Sequence, residues 1–337
     1  MRAYFEKLLD SSQQQKQLPL IFPLLIALFS GAVFSFALAP YYWWWLAILS
    51  PALLYATLHN RSAKQAFAIG WSYGFGLWFV GAFWLYTSIH VYGDTNAFLS
   101  VCMIAVMALV MGLFTAFQTW IYRRFFPETP LTFAPLWIIF EWAKTWVFTG
   151  FPWLFVGYAF TERLLDGYAP LFGIYAISFV VIVLACALVE VLRKRIFWVI
   201  PAALLVLGAW GASYIQFVQP KAAKPLSVSL IQGNIPQDLK WLTEYQVRTL
   251  EIYAGLTQSE WGRDLIVWPE SSIPLFQTDI EPFLDAMDAQ AKKNHTAWVT
   301  GIPYWDVVKS HQVGSPLYYN SIMASGSDSS GLYKKQR

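Results

Sequence analysis

Seven apolar stretches separated by short polar connections fill the first two thirds of this 337-residue chain. They cover residues 20–39, 42–58, 66–89, 97–122, 131–148, 170–192 and 196–215. About twenty apolar residues are needed to cross a bilayer as a helix, and the second and fifth stretches are short by that measure. The first lacks a small-residue cleavage site and more stretches follow, so it reads as a retained span. After residue 225 the pattern changes. Residues 226–231 alternate as a strand, and 233–241 form a loop. A helix is expected over 243–261, a strand over 265–268, a helix over 280–293 and a strand over 297–302. A loop runs through Gly314, a strand covers 318–324, and a Ser/Gly turn follows at 325–331. Strands alternating with helices predict a layered α/β sheet.

Charge adds a direction to this pattern. Arg2, Lys7 and Lys16 precede the first stretch, and Arg61 with Lys64, Arg123 with Arg124, and Arg193 to Arg195 fill every second connection. The alternate connections hold only Arg163. Such a bias places the N-terminus in the cytoplasm and, after seven crossings, the last third on the outer side. The organisation expected is a segment 1–19, a helical membrane bundle 20–217, a Pro/Lys linker 218–225 and an α/β domain 226–337. Composition agrees: 57% of residues are hydrophobic and 13% charged, against roughly 25% charged in soluble proteins. The net charge of +3 leaves no nucleic-acid footprint. Cys102 and Cys186 fall in apolar runs and read as small buried hydrophobes. The four His are scattered, and no metal-ligand spacing occurs.

Candidate chemistry starts with Leu265-Ile-Val-Trp-Pro-Glu-Ser-Ser272. Pro269 has no N–H and ends the strand, so Glu270 sits just past a strand end, where α/β folds place catalytic groups. Walled by Trp268 and Pro269, its carboxylate would have a pKa raised by partial burial and would suit a general base. A solvated Glu capping the next turn fits the pattern equally well. Glu141 and Lys144 lie three apart inside the fifth stretch. They can neutralise each other as a structural pair or mark a functional site in the membrane. Gly150-Phe-Pro-Trp-Leu-Phe-Val-Gly-Tyr158 reads as a lipid-facing mouth or a packing turn.

Val228-Ser-Leu-Ile-Gln-Gly-Asn-Ile-Pro-Gln237, Lys240-Trp241, Trp268-Pro-Glu270 and Tyr333-Lys-Lys335 together resemble the nitrilase-like domain of bacterial apolipoprotein N-acyltransferases. Glu141-Trp142 and Phe148-Thr-Gly-Phe-Pro-Trp-Leu154 are similar to the membrane domain of that family. The resemblance implies an αββα sandwich and a Glu–Lys–Cys triad. Glu270 matches its base. Lys335, two residues after Tyr333, matches its lysine better than Lys334 does, and Trp241 matches a residue lining the substrate entrance. The family's cysteine, its Val-Pro-Phe-Gly-Glu stretch and a closing helix would follow Lys335, so the chain reads as an incomplete member. The implied activity is phospholipid-dependent N-acylation of diacylglyceryl-modified apolipoproteins through a thioester, without cofactor. The implied setting is the bacterial inner membrane, with the nitrilase-like domain periplasmic. A membrane-tethered amidase, a non-enzymatic polytopic protein such as a transporter, and a non-catalytic fragment are the alternatives.

Overall fold

The computed structural model describes residues 18–219, 225–327 and 330–335. Arg2, Lys7 and Lys16, and the linker lysines 221 and 224, lie outside the described residues. The chain divides into two compact units, one ending at Gln219 and the other starting at Pro220.

The first unit is helical: α1 (Ile21–Phe34), α2 (Leu46–Thr57), α3 (Ala63–Gly81), α4 (Ala97–Phe125), α5 (Pro130–Ala143), α6 (Ala169–Leu192) and α7 (Val199–Ala212). One helix lies in each of the seven apolar stretches. Ser62 caps α3 reciprocally with Gln65, Asn96 caps α4, and Pro130 opens α5 without losing a needed N–H. Two segments, Ala97–Phe125 and Asp166–Leu192, are long and apolar enough to cross a membrane. The others are shorter than expected because the chain turns early. Trp43–Trp45 form turns before α2, α3 stops at Gly81, and α5 stops at Ala143 ahead of left-handed Phe148 and Thr149. Large apolar side chains such as Phe98, Val106, Leu131, Ile139 and Leu204 point outward. That surface is stable only against an apolar medium. The interior is closed by small residues: a Cβ on Gly74 of α3 would stand 2.6 Å from the Gly112 Cα of α4. Backbones that close make the van der Waals contact that packs helices in lipid.

Connections sort to two ends of this unit. Glu128, after α4, accepts from His59, after α2, and from Arg123 and Arg193 at the ends of α4 and α6. Glu190, fully buried, accepts from Arg193, Arg195 and Tyr55. The connections after α1, α3 and α5 meet through aromatic pairs instead: Trp44 with Phe160 at 5.7 Å and Trp84 with Trp153 at 5.3 Å. The segment 150–158 is a packing turn. Leu154, Phe155 and Val156 are buried, and the Gly157 N–H bonds Ser178 Oγ at 2.9 Å. Glu141 and Lys144, both buried, do not form the direct ion pair expected from their spacing. Glu141 Oε1 accepts from Trp137 Nε1 at 3.0 Å and from the Val156 N–H at 2.9 Å, while Lys144 Nζ lies 5.0 Å from the Phe155 ring centroid. The loop that folds back against α5 supplies the donor that a neighbour on the same helix was expected to supply.

The second unit contains β1 (Val228–Leu230), α8 (Thr243–Thr257), β2 (Leu265–Val267), α9 (Glu281–Lys293), β3 (Ala297–Trp305), α10 (Val307–Val313), β4 (Tyr318–Gly326) and β5 (Gly331–Lys334). The sheet order is β1-β2-β3-β4-β5, parallel across the first three strands and antiparallel across the rest. Two expectations need correction. The helix expected to reach Trp261 ends at Thr257, and the loop expected from 303 to 314 is the rest of β3 followed by α10. Pro303 is tolerated because β2 stops opposite Val299, which leaves β3 an edge toward that side. Asp306 then caps α10, accepting from the Lys309 N–H at 3.0 Å.

One face of the sheet is sealed by helices: Ile266 and Trp298 are buried against Leu250 and Tyr253 of α8 and Leu284 and Met287 of α9. On the opposite face the register aligns Leu230, Val267, Val299 and Ala324, with Ile322 paired to Tyr333. Leu230, Ile322 and Tyr333 are exposed there. Among the described residues there is one sheet of an expected αββα sandwich, with an apolar face open.

Candidate active site

The β2 strand ends at Val267, and Trp268 still donates its N–H to Val299 O at 2.8 Å. Pro269 then breaks the ladder, and the chain turns over the middle of β3, at Thr300 and Gly301. The Ile273 N–H bonds Gly301 O at 3.2 Å, and Ser272 Oγ lies 2.9 Å from Thr300 Oγ1. Ser271 takes a left-handed φ of 51°, a cost borne where surrounding bonds dictate the path. Gly301 makes that path possible. A Cβ there would stand 2.5 Å from Ser271 N and 2.7 Å from Glu270 Cα. Gly301→Ala is therefore expected to cost about 1–3 kcal/mol and to shift Glu270. Such displacements lower catalytic rates about 100-fold. Thermal unfolding and a rate assay on the same sample check the two effects.

Glu270 projects beside β4 and β5. Asn320 Nδ2 donates to Glu270 Oε1 at 2.5 Å, and Lys335 Nζ donates to the same oxygen at 3.2 Å. The Lys335 N–H bonds Asn320 O at 2.9 Å, which holds the lysine in register one residue beyond the Ser321–Lys334 pair. Lys334, on the opposite side of β5, is committed elsewhere. Its ammonium pairs with Asp306 at 2.5 Å and lies over the rings of Tyr304 and Tyr319. Geometry thus brings Lys335, and not Lys334, to Glu270.

Glu270 is open to solvent, its side chain 66% exposed, which overturns the expected partial burial and raised pKa. Hydrogen bonds from Lys335 and then Asn320, with the Lys335 charge and a smaller effect of Lys240, hold the carboxyl below its ordinary value. Trp268 does not wall the carboxylate. Its ring lies in the helix-side core, with Nε1 bonded to Thr257 Oγ1 at 2.9 Å, because strand alternation turns it away from the open face. Trp241 is exposed on the loop before α8, with the Lys240 ammonium 5.8 Å from its ring centroid. Lys240 is thereby the loop's charged contribution to the site.

Glu270, Asn320 and Lys335 rim a hollow of about 510 Å³ floored by Val267, Val299, Ile322 and Tyr333. An apolar floor with a carboxylate, an ammonium and an amide at one edge suits an amphiphilic ligand. Asn320 and Gly301 were not anticipated. The only signal for Asn320 was a polar amide inside an otherwise strand-forming run, a residue type depleted in strands.

Two family models match this chain. The apolipoprotein N-acyltransferase N-terminal domain matches residues 30–187, and the carbon-nitrogen hydrolase model matches 227–337. The chain is 37% identical over 323 residues to the apolipoprotein N-acyltransferase of Coxiella burnetii, covering 93% of this chain and 65% of that protein. Over both matched stretches the chain is similar to apolipoprotein N-acyltransferases. The relative from Vibrio parahaemolyticus is 37% identical over 92% of this chain and 61% of its own length. For the one from Azotobacter vinelandii the values are 37%, 93% and 62%. The chain thus spans just under two thirds of the length of the curated family members it matches. The paired Glu270 and Lys335 both lie within the stretch matched by the carbon-nitrogen hydrolase model.

Proposed function

We propose that this chain provides the membrane unit and part of the catalytic unit of an enzyme that transfers a fatty acyl group from a phospholipid to the α-amine of a diacylglyceryl-modified apolipoprotein. The observation carrying the proposal is the Glu270–Lys335 pair at the rim of an apolar hollow. Glu270 takes the proton of a cysteine thiol, and the thiolate attacks the ester carbonyl. The Lys335 ammonium stabilises the oxyanion that forms. The C–O bond breaks, the lysophospholipid leaves with the proton returned by Glu270, and a thioester remains. The acceptor amine then attacks the thioester, giving its proton to Glu270, and the thiolate departs. An acyl chain laid on Val267, Val299 and Ile322 displaces water from Glu270 and raises its proton affinity, which makes it a better base when substrate is bound. In this reading the thiol lies beyond Lys335, as the resemblance of the Tyr333-Lys-Lys335 motif implies. Cys102 and Cys186, both on helices of the membrane unit, do not take that part. Trp241 lines the entrance, and no cofactor enters the scheme.

We further propose that the open face of the sheet is the inner face of an αββα sandwich, and that α1 to α7 cross the inner membrane seven times. In this arrangement the N-terminus is cytoplasmic and the catalytic unit periplasmic. Support comes from the two ends of the helical unit. The connections after α2, α4 and α6 share one ion-pair network, as alternating crossings require. Arginines there match the positive-inside bias.

The test supplies full-length protein with acyl-labelled phospholipid vesicles and a diacylglyceryl-cysteine peptide. Label appearing on the peptide amine, dependent on both substrates, is the expected result. Hydrolysis of small amides without phospholipid, and no label on the peptide, would replace the reading with that of a membrane-tethered amidase.

A further inference from the structure

Both donors at Glu270 bind the same oxygen. Asn320 Nδ2 and Lys335 Nζ converge on Oε1, and among the described residues none bonds Oε2. Asn320 is also the residue whose backbone carbonyl receives the Lys335 N–H. One residue therefore sets the position of both charged groups, through its side chain for the carboxylate and its main chain for the ammonium-bearing lysine. It sits just where the β4–β5 pairing gives way to the rim of the hollow.

We propose that Asn320 is the positioning residue of this site, clamping one oxygen of Glu270 with Lys335 so that the other, Oε2, is the oxygen that takes the proton. The physical case is one of degrees of freedom. A Glu side chain has three rotatable bonds, and an exposed one samples many rotamers at a cost to rate. A single salt bridge between two exposed groups fixes little and is screened by salt. A carboxamide on a paired strand is a rigid, salt-insensitive second anchor. With both donors on one oxygen, the second oxygen keeps its lone pairs available to a proton. The amide cannot act as a base itself, and its one side-chain bond among the described residues is to the Glu270 carboxylate. The inference rests on the acyltransfer reading for its rate consequence alone, since the clamp can be observed without turnover.

The experiment combines two readouts on Asn320→Ala and the near-isosteric Asn320→Asp, each in the full-length protein. The first is ¹³C NMR titration of the Glu270 carboxyl in detergent, assigned with Glu270→Gln. Asn320→Ala removes a bond to the charged form, so the midpoint is expected to move to higher pH. Asn320→Asp adds a like charge and is expected to move it further in the same direction. Lys335 and Lys240 are the other charged groups facing the carboxylate, and neither changes in the two variants. The second readout is kcat and KM for acyl transfer. An about 100-fold lower kcat with KM little changed is expected, and the acid limb of the pH profile should follow the NMR midpoint. An unmoved Glu270 midpoint in a folded Asn320→Ala or Asn320→Asp protein overturns the proposal. If wild-type protein transfers no acyl group, the acyltransfer reading fails, and the titration still decides the role of Asn320.

Discussion

Glu270→Gln is expected to lower acyl transfer about 1,000-fold, within the range assigned to loss of a general base. The substitution isolates proton transfer from geometry. The Gln carbonyl oxygen can still accept from Asn320 and Lys335, so the rim of the hollow keeps its shape, but the Gln amide nitrogen accepts no proton. The loss should therefore appear in kcat, with KM for phospholipid nearly unchanged. The wild-type pH profile carries a second signature. Because Lys335 and Asn320 hold the Glu270 carboxyl below its ordinary value, the base form survives to lower pH than an isolated carboxylate would. In kcat/KM, which reports the free enzyme, activity should disappear as pH falls through that lowered pKa, and Lys335→Gln should move the acid limb upward. Steady-state rates across pH for the three proteins check both points. Undiminished transfer by Glu270→Gln removes the residue from the mechanism.

Trp298→Ala is expected to destabilise the α/β unit by about 3–5 kcal/mol, the cost of emptying a large core site. Trp298 is fully buried on β3 and stands edge-on to Trp268, ring centroids 5.0 Å apart. It therefore supports the strand end from which Glu270 departs. Trp298→Phe is expected to cost far less. The indole Nε1 is buried without a hydrogen-bond partner, so removing that donor relieves a desolvation penalty of about 1–3 kcal/mol and offsets part of the lost contact. Denaturant unfolding followed by hydrogen exchange at β2 and β3 amides separates the two variants. Equal losses would mean that the indole N–H is satisfied in solution.

Much of the architecture was legible in the chain. Seven apolar stretches yielded seven helices, because a 3.6-residue helix is the only lone element that satisfies its own backbone in an apolar medium. Alternation placed β1 and a short apolar run ending at Pro269 placed β2, and strands were expected where β3 and β4 begin. Helix ends were harder. Val147 and Phe148, like Trp43 to Trp45, fall within the expected apolar stretches, yet local turns removed them from α5 and α2. The extension of β3 through Pro303 was illegible because Pro argues against a strand until the neighbouring strand is known to have stopped.

Glu270 was legible at a strand end closed by Pro269, and Lys335 entered only as what the family resemblance implies. Their environment was a different matter. Whether a carboxylate is buried or paired depends on residues 50 and 65 positions away along the chain. So does the sign of its pKa shift, which came out opposite to the expectation. The sequence by itself determined the succession of apolar helices, the α/β unit and the candidate carboxylate, because these depend on composition and periodicity over short windows, while the candidate ammonium came with the family resemblance. Only the tertiary structure decided that Lys335 and not Lys334 meets Glu270, that Asn320 joins them, and that Gly301 lets the turn pass. Those contacts follow from strand register and from which side of a strand each residue faces, and a shift of one residue in pairing reverses every one of them.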